Sequence, residues 1–499
     1  MALDLSDPRA TLQWLMSVLL FVLHLLVAAR ALTRANRTPA SRAAWVLVIM
    51  LAPVIGMLAY LLLGETNVGR ARLRRLQQTA RMLADLNGAA HGDVALASLP
   101  APAASLFALA ASINGAQPQS GNRVRLLGAV DSDPVAPMDD CRAAIDALVR
   151  DIEQAQQSVH IAFYIWLDDV AGGRVADALA AAAARGVACR VMVDALGSRG
   201  FIGSPRWTQL SRAGVKLLRT LDDLNRLQHV AFSRMDLRDH RKIVVIDNRI
   251  AYCGSQNCAD PEFRVKPRFA PWIDLLLRCE GPVVAQTQRL FLSGWIPESG
   301  EQGLDGYAAD VAPPFTDGCV ALAFETGPVT RHNVMADMFA ACVYAARREL
   351  VISTPYFVPD EALLRAICAA PRRGVRTRLI LPKHNDSWLV GQSSRSTYAD
   401  LLQCGVEVHE YPLGLLHAKS LTIDGEIALV GSANMDRRSL ELNFENNLLI
   451  ADSAVTASIV LRQEGYLSVS EQVLLEQVLA WRLPTRLLQN AVAMMSPVL

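Results

Sequence analysis

The stretch RDHRKIVVIDNRIAYCGSQN, residues 238–257, sets a histidine and a lysine two apart at the head of an apolar run. It closes the next run on Gly-Ser-x-Asn. From His240 to Ile246 the β-branched content predicts a strand. With a side-chain period of two, His240, Lys242, Val244 and Ile246 share one face, and Asp247 has the other parity. Asp247-Asn248 reads as a two-residue hairpin turn, after which Arg249–Cys253 runs back. Gly254 breaks the strand, and Ser255 and Asn257 again share a parity. The hairpin can thus gather an imidazole, an ammonium, a hydroxyl and an amide around one point. Taken alone, it fits a buried structural histidine beside a surface lysine equally well.

Residues 417–434, HAKSLTIDGEIALVGSAN, weigh against that simpler reading. His417, Lys419, Asp424, Gly431, Ser432 and Asn434 repeat His240, Lys242, Asp247, Gly254, Ser255 and Asn257 with identical internal spacing, 177 residues on (417 minus 240). Asp424-Gly425 is an even stronger hairpin signal than Asp247-Asn248. The turn position suits both aspartates to a turn or supporting role rather than a place in the cavity.

The duplication extends further. SVHIAFYIWLDD (158–169) and ELVISTPYFVPDE (349–361) are buried-strand patterns that end in aromatics and an acidic turn. Alanine-rich helical segments follow, then RGVACRVMVD (185–194) and RGVRTRLILP (373–382), then SRAGVKLL (211–218) and LQCGVEVHE (402–410). Gly405 follows Gly214 by 191 residues, so the drop to 177 at the histidines locates 14 extra residues in the first copy (191 minus 177), around NRLQHVAFSRMD (225–236). Strands alternating with helices predict an α/β fold with mixed sheets flanked by helices, and two such units predict a pseudo-dimer. A pseudo-twofold axis would let the two polar sets face each other across one cavity.

Composition bounds the rest. The chain has 499 residues, enough for two or three domains, and a formal net charge of +1, so nothing global announces nucleic acid. Hydrophobic residues make up 52%, slightly above the soluble norm. The excess lies in two runs, Leu12–Leu32 and Ala44–Leu63, each long enough as a helix to span a bilayer. Asp4 and Asp7 before Arg9 are the wrong charge for a cleaved signal, and a second apolar run follows directly, so the pair reads as a membrane hairpin. Pro53 to Gly56 predicts a kink in the second span, and His24 reads as interfacial or helix-contacting. The basic residues lean towards a cytoplasmic placement of the large C-terminal part. Nine cysteines with no CxxC spacing fit reduced thiols. GRARLRR (69–75) fits a solvated helix face or a grip on anionic headgroups.

Paired histidines, lysines, serines and asparagines describe a phosphodiester site. Lysines and amides hold the non-bridging oxygens, one histidine attacks phosphorus, and the other protonates the leaving alcohol. The intermediate would be a phosphohistidine, and no metal or other cofactor is needed. Ser255, Asn257, Ser432 and Asn434 are the candidate phosphate ligands. Asp274 and Glu445, each opening an apolar strand after its Gly-Ser-x-Asn, are candidates to orient the histidines; an ordinary strand-end acid is the other reading.

Both HxK(x)4D(x)6GSxN motifs resemble those of the phospholipase D superfamily, and the chain is most similar to its bacterial cardiolipin synthase branch. The likeness includes AYLLLGE (59–65), WIDLLLRCEGP (272–282), TPYFVPDEALLRAI (354–367), LPKHNDSWLVGQSSR (381–395) and GSANMDRRSLELNFE (431–445). It implies two phospholipase D-like domains, 121–315 and 316–483, behind a transmembrane hairpin, 1–65, with spans at about 12–32 and 44–63. A juxtamembrane linker, 66–120, and an amphipathic tail, 484–499, complete the division. It groups His240, Lys242, Asp247, His417, Lys419 and Asp424 as catalytic, with His240 the expected nucleophile and His417 the acid and base. It further implies a multi-pass protein of the bacterial inner membrane. The partners are the bilayer and phosphatidylglycerol, from which a phosphatidyl group passes to a second phosphatidylglycerol, giving cardiolipin and glycerol. Asn385, Asp386 and Arg395 fit either a headgroup contact or a capped helix start. Tyr164 and Tyr356 fit either the cavity wall or core packing. The C-terminal WRLPTRLLQNAVAMMSPVL fits either the membrane surface or a place against the second domain. A membrane phospholipase D shares every one of these residues. A nuclease of the superfamily fits less well, given the apolar hairpin and no long basic stripe. Oligomeric state is left open.

Overall fold

The computed structural model describes residues 8–35, 38–65, 68–84, 93–128, 137–222, 236–301 and 312–494. Asp4, Asp7, most of the first-copy insertion (225–235) and the last five residues of the tail lie outside them. Two compact units divide the chain, one built on residues 1–69 and one holding 70–222 and 238–497.

In the first unit, helix α1 (Pro8–Thr33) carries Thr11–Thr33, long and apolar enough to cross a membrane. The second apolar run departs from the single kinked span expected. It divides at Ala52 into α2 (Pro39–Leu51) and α3 (Pro53–Leu63), each too short to cross unaided. Pro53 lacks an N–H and excludes helical geometry from the residue before it, and Ala52 sits at φ −131°, ψ 76°. The chain then turns back on itself. A Cβ at Gly56 would lie 2.3 Å from the Val48 carbonyl oxygen, so only glycine allows that approach. Val27, Ala31, Trp45, Ile49, Met57 and Tyr60 form the unit's core, and His24 is buried within the unit. The Arg30 guanidinium donates from both Nε and Nη2 to Glu65, which also accepts from the Tyr60 hydroxyl.

The second unit is built on one continuous sheet. Its first copy supplies β1 (Gln119–Leu126), β2 (Ser158–Phe163), β3 (Ala188–Asp194), β4 (Lys216–Thr220), β5 (Ile243–Ile246), β6 (Ile250–Gly254), β7 (Trp272–Ile273) and β8 (Leu276–Glu280). The second copy begins with β9 (Cys319–Thr326), β10 (Glu349–Ser353), β11 (Phe357–Val358), β12 (Arg376–Pro382), β13 (Glu407–Tyr411) and β14 (Leu415–Leu416). It ends with β15 (Ser420–Ile423), β16 (Ile427–Gly431), β17 (Met435–Asp436), β18 (Glu445–Ala451) and β19 (Glu471–Gln472). Fifteen of these strands form the sheet, in the order β19-β13-β12-β10-β15-β16-β18-β9-β1-β8-β6-β5-β2-β3-β4, while β7 with β14 and β11 with β17 form separate parallel pairs. Outward from the β9–β1 seam, each strand pairing in one copy has the polarity of the corresponding pairing in the other, apart from β19, an extra edge strand of the second copy, and β1 and β9 themselves pair antiparallel. This is the arrangement of a twofold relation between copies.

Near-continuous apolar runs such as Ile243–Ile246 are buried on both faces, as expected where helices cover the sheet. One core belongs to the first copy, including Val159, Val175, Leu179 and Val191. Another is dominated by the second, including Phe339, Leu350, Ile367 and Leu379. A third draws Ile243, Val245, Ile273 and Phe291 from the first copy, and Ala321, Val351, Ile380 and Val430 from the second. That shared core holds the halves in fixed register behind the histidines. Arg241, buried beside them, binds Asp239 of its own copy and Glu325 of the other.

Candidate active site

Each hairpin positions its polar set by what its backbone does not pair with at home. The strand expected from His240 begins only at Ile243, because the preceding residues pair with the opposite copy. The His240 amide donates to the Phe444 carbonyl at 2.9 Å, and the His417 amide to that of Ile273 at 2.7 Å. These two bridges are counterparts. In each, the residue before a histidine lies beside the residue before an acid of the other copy.

The consequence is an exchange of acids between copies. His417 Nδ1 lies 2.6 Å from Asp274 Oδ1, and His240 Nδ1 lies 3.2 Å from Glu445 Oε1. Each imidazole is therefore held through Nδ1 by the other copy's carboxylate, which leaves Nε2 as the reactive nitrogen. Burial pushes the His240 imidazole down to about 4, against the opposing pull of Glu445, so it is neutral at pH 7. Burial lowers His417 as well, opposed first by Asp274. Burial is the largest influence on both acids and acts to raise them, but their histidine, lysine and serine partners together hold them below the usual carboxylate range.

Lys242 and Lys419 each donate one hydrogen bond, to the carbonyl of the histidine two residues back, at 2.7 and 2.6 Å. Burial lowers both ammonium groups, Lys419 to about 7. Two buried lysines with spare donors form a site for an anion, whose arrival restores their charge. Asn257 accepts from the Ile165 amide while its Nδ2 is buried without a partner among the described residues, and Asn434 Oδ1 is likewise buried and unpartnered among them. Rotation of a carboxamide presents either atom, so both can serve a phosphate oxygen or a hydroxyl.

Four of the expected site residues sit elsewhere. Ser255 and Ser432, expected at the phosphate, are fully buried and already committed. Ser255 donates to Asp274 at 2.6 Å and accepts from the Leu275 amide; Ser432 donates to Glu445 and accepts from the Asn446 amide. They hold the acids, and the glycine before each permits it: a Cβ at Gly254 would meet the Leu275 carbonyl oxygen at 2.2 Å. Asp247 and Asp424, grouped with the catalytic residues by motif, occupy the far ends of their hairpins. Each accepts three backbone N–H groups, from Gln156, Gln157 and Ser158 or from Arg347, Arg348 and Glu349. Left-handed φ values of 51° and 55° shape these turns, which brace the start of the neighbouring strand instead of reaching the cavity.

Other side chains complete the walls. The Tyr164 ring lies 4.1 Å from that of His240, and Tyr356 stands edge-on 6.5 Å from His417. Tyr356 donates to Asp386 at 2.7 Å, which ties the 384–387 connection to the cavity, while Ser387 caps the helix that follows. Asn385 donates to the Pro355 carbonyl, and Arg395 to Glu410 and the Lys383 carbonyl. Sequence reasoning missed Trp272, 4.6 Å over His417, and Asn443, which contacts both His240 Nδ1 and Glu445 at 3.2 Å. Both sit two residues before an acid, a parity that marks them as neighbours of the histidines once the acids are known. The assembled groups can attack phosphorus, protonate a leaving oxygen and neutralise the charge that builds between them.

A family model described as cardiolipin synthase, PLD-like domain, matches residues 148–268 and 340–462, and one described as phospholipase D-nuclease N-terminal matches 22–65. Cardiolipin synthase A of Salmonella arizonae is 38% identical over 464 residues, covering 92% of each chain. The protein belongs to the cardiolipin synthase family. The Salmonella newport member has the same identity and coverage. Phosphatidylserine synthase of Haemophilus influenzae shares the fold, with a TM-score of 0.55 at 12% identity over 86% of this chain and all of that one. The family makes the chain a phosphatidyltransferase of the phospholipase D superfamily, an enzyme of phospholipid transfer associated with membranes.

Proposed function

We propose that the enzyme transfers a phosphatidyl group from one phosphatidylglycerol to the glycerol hydroxyl of another through a phosphohistidine. The supporting observation is the exchange of acids, which leaves two Nε2 atoms and two lysines with spare donors at the junction of the copies. His240, neutral at pH 7, attacks phosphorus in line with the glycerol oxygen. His417, backed at short range by Asp274, donates its proton to that oxygen and glycerol leaves. The second lipid's hydroxyl returns a proton to His417, attacks the phosphohistidine and frees His240. Lys242, Lys419, Asn257 and Asn434 bind the non-bridging oxygens throughout.

Product analysis tests the reading. Purified protein given phosphatidylglycerol alone should yield cardiolipin and free glycerol in equal amounts. Phosphatidic acid without cardiolipin would make the enzyme a hydrolase instead. With phosphate-labelled donor, the His417→Asn variant should accumulate an alkali-stable, acid-labile protein label and His240→Asn should not; the reverse would exchange the two roles.

A further inference from the structure

The helix Leu483–Met494 is inverted. It packs against the helix Trp388–Ser396 and buries Gln489 and Val492, while Leu483, Leu487, Leu488 and Met494 are 66%, 60%, 46% and 79% exposed. At 3.6 residues per turn, Leu483, Leu487 and Met494 fall on one stripe, turned opposite to Val492. A helix serving only its own domain would put that stripe inward. Arg486 lies at one edge of the stripe and Arg482 just before the helix, and among the described residues neither makes an ion pair. An outward apolar stripe with arginines along one side is the pattern of a helix lying in a bilayer interface rich in anionic headgroups.

Its partner helix ties this face to the cavity. Trp388, the first residue of that helix, is 56% exposed and stands two positions after Asp386. Asp386 accepts from the hydroxyl of Tyr356, whose ring is edge-on to His417, and from Lys266 beside Val265, itself 64% exposed. Trp388 and Val265 thus form an apolar rim where the cavity wall reaches the surface, and tryptophan favours the headgroup level.

We propose that this face, Leu483–Met494 with Trp388 and Val265, docks on an anionic leaflet and delivers lipid to the histidines. It is a membrane contact of the catalytic unit additional to the apolar N-terminal helices, and it rests on the lipid-transfer reading for its purpose.

The test uses the full chain in nanodiscs containing phosphatidylglycerol. An environment-sensitive fluorophore on Leu487→Cys should be quenched by lipids carrying a nitroxide near the headgroup. The same probe on Glu426→Cys, 59% exposed at the opposite end of its hairpin from His417, should not be. Leu483→Asp/Leu487→Asp should raise the KM for bilayer phosphatidylglycerol roughly tenfold at unchanged kcat, with no change towards a short-chain, monomerically dispersed substrate. An unquenched Leu487 probe overturns the proposal, as does cross-linking of that position between copies, which would make the face a dimer contact. Quenching without cardiolipin formation would leave the docking face standing and remove the transferase reading instead.

Discussion

Trp272 and Asn443 occupy the same place in the two copies, two residues before the acid, and do different things there. Trp272 lies over the His417 ring, whose Nδ1 meets Asp274 at 2.6 Å. Asn443 instead reaches the His240 ring edge and shares Glu445, which also accepts from Ser432 and Ser439. Asp274 concentrates its charge on one histidine and one serine, while Glu445 spreads it over four donors. Duplication fixed the backbone; the side chains then divided the labour. On the proposed mechanism, that contrast suits His417 to carry the proton and His240 to attack phosphorus.

The acids offer the sharpest way to break that comparison. Asp274→Asn should lower kcat about 10³-fold or more, since it forces the wrong tautomer on the proton carrier. Glu445→Gln, whose place is reinforced by three other donors, should cost about 10–10²-fold. Equal losses, measured as steady-state kcat, would mean that the division of labour is absent.

The hairpin tips should behave alike where the site does not. Each aspartate holds three amides, so Asp247→Ala and Asp424→Ala should each lose about 2–3 kcal/mol by denaturant unfolding with catalysis of the folded fraction retained. A collapse of kcat in either, at normal folding, would return that aspartate to the catalytic machinery.

The smallest effect concerns His160, whose counterpart in the second copy is Val351. His160 is buried against Gln288 and Phe291, and burial lowers it to about 4. Between that value and about 6.5 in the unfolded chain, only the unfolded state takes up the proton. Native stability therefore falls as pH drops through this window, by roughly 1.4 kcal/mol per unit for each such histidine. His160→Val should flatten that slope, whatever it costs at pH 7 through the orphaned Gln288. An unchanged slope, from melts at stepped pH, would assign the acid sensitivity to His240 and the carboxylates.

Much of this was legible in residue spacing. Period-two parity put His240 with Lys242 and His417 with Lys419, and Asp-Asn and Asp-Gly marked turns whose aspartates the structure places away from the cavity. Strand and helix alternation announced the mixed sheet. Spacing within a strand says nothing about which strand of the other copy lies alongside, so the exchange of Asp274 and Glu445 was out of reach. For the same reason Ser255 and Ser432 looked available for phosphate: the acids that use their hydroxyls come 19 and 13 residues later in the chain. Hydropathy likewise marked Ala44–Leu63 as apolar without showing how far Pro53 and Gly56 let it turn back.

The seam between β1 and β9 has a consequence for assembly. Cutting the chain between residues 301 and 312 would leave each half with a raw strand edge and half of a shared apolar core. Neither fragment would own a complete histidine–carboxylate couple. Co-expressed, the halves should be recovered only as an obligate heterodimer; apart, they should aggregate. The duplicated enzyme is in that sense a dimer whose subunits have given up the freedom to part.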